Sequence, residues 1–174
     1  MPAPADSALI DAVDSHDEVI GSVPRSAATT SGAGFRTVHV FVRNGRGLLL
    51  QRLAPSRERH AGRWGSSVAG YLHSGETYLE AAERRQREEL GLNGPLREVG
   101  KTRFRESDAT KFVTLFETEA TGATVREPEH ISELRWWTDR ELASMVASAP
   151  ERFTPTFQQL YAEFGVERGI GSST

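Results

Sequence analysis

Arg84, Arg85, Glu88 and Glu89 stand in one short charged run, RRQREE over residues 84–89, and are the residues of this chain best able to do chemistry together. On a helix, positions three and four apart share a face, so Arg85, Glu88 and Glu89 project side by side. Two carboxylates placed in this way make a hard-oxygen donor set suited to Mg²⁺ or Mn²⁺. The alternative for the same residues is a solvated surface helix. Glu80/Arg84, Glu83/Arg87, Arg84/Glu88 and Arg85/Glu89 all have i,i+4 spacing, and each such pair contributes only about 0.2–0.5 kcal/mol.

The elements that must position these side chains are legible on either side of them. A glycine-bounded turn, GYLHSG over residues 70–75, leads into the helix. Ser74, Gly75, Glu76 and Thr77 are turn or cap types, and Glu76 and Glu80 favour the positive end of the helix dipole. Gly91 is the residue type that takes the left-handed position after a helix, and Asn93, Gly94 and Pro95 cannot continue it. Upstream, residues 54–63 (APSRERHAGR) read as a polar loop carrying Arg57, Arg59 and His60, with Arg52 and Arg63 at its borders. Positive charge gathered beside a carboxylate site suits a phosphorylated ligand, because the guanidinium fork matches phosphate oxygens. Arg52, Arg57 and Arg63 are the candidates for that contact; a solvated polar loop is the alternative.

Composition narrows the classes. With 174 residues, 37% hydrophobic and 26% charged, the chain suffices for one globular domain. It has no cysteine, which excludes disulfides, cysteine-ligated zinc, iron–sulfur clusters and thiol catalysis. A formal net charge of −3 gives no footprint for duplex nucleic acid or an anionic membrane. No run of about 18 apolar residues occurs, and the first residues have neither a basic nor an apolar signal region. The expectation is a cytoplasmic protein whose partner is a small molecule; a homodimer stays open.

In chain order, residues 9–14 and 18–23 read as a small β-hairpin, and residues 26–34 as a flexible connector rich in Ser, Thr, Ala and Gly. Residues 36–42 and 48–52 form a second hairpin about a Gly-containing turn. Its Leu48-Leu49-Leu50 run suggests a strand covered on both faces. Residues 64–69 read as a short strand, residues 96–104, 111–118 and 134–137 as later strands. Glu127 and Glu129 lie in the loop before the last of these, where either would be a spare acid. A capped helix starts near Thr138. Phe157, Leu160, Tyr161 and Phe164 then make the apolar face of a terminal helix. The division expected is residues 1–34 as hairpin and connector, 35–166 as the main domain, and 167–174 as a disordered tail.

Gly70, Glu76, Arg84, Glu88, Glu89, Gly91 and Leu92 occupy, without insertion or deletion, the spacing Gly, five residues, Glu, seven residues, Arg-Glu-aliphatic-x-Glu-Glu-x-Gly-aliphatic. This stretch resembles the Nudix box. Residues 9–165 more broadly look like the Nudix branch related to isopentenyl diphosphate isomerase, through residues 38–52, 62–68 and 133–137. The resemblance implies an α/β fold, an α/β/α sandwich with a central mixed sheet, here preceded by the N-terminal β-hairpin. It implies hydrolysis of a diphosphate linkage, in a nucleoside diphosphate derivative or similar metabolite, with Mg²⁺ or Mn²⁺. Glu88, Glu89 and the Gly70 carbonyl would hold the metal and Arg84 would orient the glutamates. Glu76 would be either a further ligand or a helix-cap residue.

Two positions depart from the pattern: Arg85 replaces a Glu, and Gln86 an aliphatic residue. A cation among the carboxylates competes with a metal for them. Where the isomerases place a catalytic cysteine and a histidine, this chain has Ala69 and Tyr71. Three readings follow: a metal-dependent hydrolase, a Nudix domain that binds a phosphorylated ligand without turning it over, and an isomerase, which the missing thiol disfavours.

Overall fold

The computed structural model describes residues 7–165, so the expected tail at 167–174 and the first six residues lie outside it. The hairpin Leu9–Val13 (β1) and Val19–Pro24 (β2) is antiparallel and forms its own two-stranded sheet. The segment after it contacts the rest of the chain. It makes a 3₁₀ turn at Arg25–Ala27, buries Ala28 beside Ile10 and Phe35, and closes a bridge between Val13 and Gly34. The small residues of this segment let it pack closely against the hairpin and β3.

Phe35–Asn44 (β3) and Gly47–Leu53 (β4) form the expected second hairpin. Trp64–Gly65 (β5) and Val68–Tyr71 (β6) are two short strands on either side of Ser66 and Ser67, where one was expected. The Ser67 hydroxyl explains the interruption: it accepts from Val42 N–H and donates to the Leu49 carbonyl, tying the break into the sheet. After the helix Tyr78–Leu90 (α1) come Arg97–Glu106 (β7), Ala109–Glu119 (β8) and Ile131–Trp137 (β9). The chain continues through Asp139–Ser148 (α2) and Pro155–Leu160 (α3).

The seven-stranded sheet is mixed. Its order is β5-β4-β3-β8-β7, with β6 also on β3 and β9 also on β4; β3 and β8 run parallel and the other pairs antiparallel. Because side chains alternate across a strand, β3 and β4 feed two cores. Val38, Val40, Val42 and Leu49 pack with Ala81, Ala82 and Leu90 of α1 on one face. Phe41, Leu48 and Leu50 pack with Leu142, Phe153, Phe157 and Leu160 on the other. Helices therefore cover both faces, giving the α/β/α arrangement, and the Leu48-Leu49-Leu50 run is buried on both sides as its composition required.

Candidate active site

Helix α1 is fixed at both ends. Thr77 accepts from Glu80 N–H while the Glu80 carboxylate accepts from Thr77 N–H, a reciprocal cap, and Gly91 ends the helix at φ 67°. The N-terminal hairpin holds the turn before the helix: the Asp11 carboxylate accepts from Ser74 Oγ at 2.8 Å and Gly75 N–H at 3.1 Å. Asp17, buried at the hairpin tip, accepts from Tyr78 Oη at 2.8 Å and Arg36 Nε at 2.6 Å, and from Lys101. Neither aspartate stood out in the sequence, since only the folded chain brings the hairpin to α1.

Glu76 and Arg84 form a two-pronged pair, with Arg84 Nε and Nη2 each 2.8 Å from a Glu76 oxygen. Arg84 Nη2 also reaches the Tyr71 carbonyl at 3.0 Å and Nη1 reaches both Glu88 oxygens at 3.3 Å. His73 N–H donates to Glu76 at 2.6 Å. Burial works against the Glu76 charge, but the Arg84 and His73 bonds outweigh it and hold the carboxyl below its usual range. The helix cap itself is made by Thr77 and Glu80, and Glu76 instead pairs with Arg84.

Arg85 is the centre of the second cluster. Its Nη1 lies 2.6 Å from Glu88 Oε2, and its Nη2 lies 3.2 Å from Glu89 Oε2 and 3.0 Å from Glu127 Oε1. Glu127 arrives from the β8–β9 loop, which is pinned on the end of α1 by Arg126 N–H donating to the Glu89 carbonyl and Thr124 N–H to that of Leu90. Glu89 is sealed, its side chain 4% exposed, while that of Glu88 is 39% exposed. Burial pushes the Glu89 carboxyl up to about 7 against the pull of Arg85 and of bonds from Gln51 and Ala69 N–H. Gln51, 3.0 Å from Glu89, is a site residue the sequence reading passed over. The available signal was a lone amide following an apolar strand run.

Gly70 is the floor of this cluster. A Cβ built there would lie 2.7 Å from Arg85 Nε. Of the loop cations, Arg52 donates to the Gly62 carbonyl at 3.0 Å and pairs with Glu133 at 3.6 Å. Arg57 and Arg63 are half-buried in the loop. Among the described residues no ion pair links Arg52, Arg57 or Arg63 to Glu76, Glu88 or Glu89. Glu129 is 64% exposed and lies 4.0 Å from His130.

The carboxylates expected to hold Mg²⁺ or Mn²⁺, and Glu127 beside them, are engaged by the chain's own donors. Both oxygens of Glu76, Glu88, Glu89 and Glu127 face an N–H donor, and the Arg85 guanidinium sits where three of these carboxylates converge. As folded, these residues do not fit a divalent ion in that place.

Comparison with known proteins agrees with the fold and the motif. A family model described as the NUDIX domain matches residues 34–160. An uncharacterized Nudix hydrolase of Yersinia pestis is 32% identical over 148 residues, covering 84% of this chain and 79% of that protein. An isopentenyl-diphosphate Delta-isomerase of Streptomyces griseus is 34% identical over 155 residues, with the same coverage of 84% and 79%. The crystal structure of DR0079 from Deinococcus radiodurans superposes with a TM-score of 0.73 at 29% identity, over 90% of this chain and 98% of that one. The NUDIX domain of Shewanella oneidensis NrtR, crystallised with ADP ribose, shares the fold at a TM-score of 0.60 and 17% identity, over 79% and 90% of the two chains.

Proposed function

The chain belongs to the Nudix family, and from that premise we propose that it hydrolyses a diphosphate linkage in a small phosphorylated metabolite, a nucleoside diphosphate derivative being the class we favour. The observation that carries this reading is the Glu76–Arg84–Glu88 chain, set on a doubly capped helix at the motif spacing. The ADP ribose bound to the Shewanella NUDIX domain supports a diphosphate as the ligand chemistry.

Cleavage needs a water oxygen to form a bond to phosphorus while the bridging P–O bond breaks, with the water proton passing to a base. Glu88 is the carboxylate of its cluster open to solvent and takes that proton in this reading. Arg84, locked by Glu76 and the Tyr71 carbonyl, holds Glu88 in place. Arg57 and Arg63 are assigned to phosphate contact. Nudix enzymes generally use divalent ions such as Mg²⁺ or Mn²⁺, which supply charge neutralisation to the phosphates. Several isomerases are among the relatives, but a chain without cysteine lacks the thiol that the resemblance to them would require.

The test is turnover of nucleoside diphosphates, sugar nucleotides, dinucleoside polyphosphates and prenyl diphosphates, with and without Mg²⁺ or Mn²⁺. Hydrolysis of one class that falls about 10²–10⁴-fold in Glu88→Gln supports the reading. Saturable binding with no cleavage under any condition sinks it.

A further inference from the structure

We propose that Arg85 is the resident cation of this site. Its guanidinium holds the place among Glu88, Glu89 and Glu127 that a divalent ion would otherwise take, so the trio binds no such ion while Arg85 is present. Three observations carry this. First, the carboxylates come from two separate elements, α1 and the β8–β9 loop, and meet on one guanidinium at 2.6, 3.2 and 3.0 Å. Convergence of several oxygens from distant parts of a chain on one point is what a cation site looks like; here the cation is covalently attached.

Second, the place is shaped for this side chain. The Arg85 stem lies against the bare Cα of Gly70, with no room for a Cβ within 2.9 Å of its Cγ and Cδ. Only 18% of the side chain is exposed. Third, Arg85 Nε is buried without an acceptor. An unpaired buried N–H is unfavourable, so the side chain is held there by its terminal nitrogens and their carboxylates, not by best satisfaction of the whole group. Burial opposes the Arg85 charge, yet Glu89, Glu127 and Glu88 together keep it firmly protonated.

Competition decides the outcome. A tethered guanidinium is already at these carboxylates, whereas a free ion must displace it and leave an arginine uncompensated among partly buried groups, which is strongly unfavourable. The inference is independent of whether the protein hydrolyses anything, because its readout is ion binding rather than turnover.

Mn²⁺ binding, followed by loss of the free-ion electron paramagnetic resonance signal, tests it with wild type, Glu89→Gln, Arg85→Ala and the double variant. Expected is no Glu89-dependent Mn²⁺ site in wild type, so that Glu89→Gln leaves its Mn²⁺ titration unchanged. Arg85→Ala should gain one site at least about tenfold tighter than any in wild type, lost again in Arg85→Ala/Glu89→Gln. A wild-type site abolished by Glu89→Gln overturns the proposal, and this comparison stands even if Arg85→Ala fails to fold. A folded Arg85→Ala that gains no site overturns it equally.

Discussion

Replacing Gly70 by alanine sets a methyl group 2.7 Å from Arg85 Nε, 2.8 Å from Cγ and 2.9 Å from Cδ, all inside van der Waals contact. Gly70 is not at positive φ, so the backbone accepts the new residue and the whole penalty is the collision. Arg85 cannot swing aside without cost, because its terminal nitrogens are tied to Glu88, Glu89 and Glu127. Overpacking of this kind costs about 1–3 kcal/mol. For a domain of this size each kcal/mol lowers Tm by about 2–4 °C. In an Arg85→Ala background the colliding atoms are gone, and Gly70→Ala should then be neutral or stabilising by up to about 1 kcal/mol through its effect on the unfolded chain. Urea unfolding of the four proteins in this cycle should give a coupling of at least about 1 kcal/mol. An equal cost for Gly70→Ala in both backgrounds would refute the packing of Arg85 on Gly70 and with it the geometry of the cluster.

Three other outcomes are expected. His39 is buried against Ser66 Oγ at 2.7 Å, and burial, with Lys111 nearby, pushes its imidazole down to about 3. It stays neutral in the fold but takes a proton near pH 6.5 when unfolded, so its stability contribution is lost as pH falls below that value, by about 1.4 kcal/mol per unit. The stability gap between wild type and His39→Gln should narrow at that rate from pH 6.5 to 4.5, a comparison that cancels other titrations such as that of Glu89; a pH-independent gap contradicts it. Asp17→Ala strands Arg36 and Lys101 and should cost about 3–5 kcal/mol in thermal unfolding, a loss below about 1 kcal/mol meaning that the hairpin is not anchored there. Trp137→Ala should cost about 3–5 kcal/mol. Trp137→Phe should cost less than Trp137→Ala, since it leaves a smaller cavity and the buried indole Nε1 has no hydrogen-bond partner to lose.

What the sequence made legible is what local rules encode. The helix limits follow from Thr77, Glu80 and Gly91, and the two-faced β4 from its leucine run, because capping and alternation act between near neighbours. The charged helix could not be told from a solvated surface by its i,i+4 pairs alone; the glycine-bounded turn and the motif spacing separated them. The expectation that Arg85 pairs with its neighbouring glutamates matches the structure. Glu127 is different. It had been read as a spare acid in a loop, and its place on Arg85 depends on backbone bonds from the loop to the end of α1, which no spacing records. Asp11 and Asp17 were hidden for the same reason. The contacts of residues 26–34 were not legible either, because small residues favour flexible chains and close packing alike.

The most direct measurement is hydrolysis in ¹⁸O-labelled water, with the products of the best substrate from the panel examined by mass spectrometry. The account predicts cleavage at the diphosphate linkage, one ¹⁸O in one of the two phosphate-bearing products, and loss of that signal in Glu88→Gln. Recovery of every diphosphate intact and unlabelled, from a protein that binds it, would contradict the claim that this site is hydrolytic.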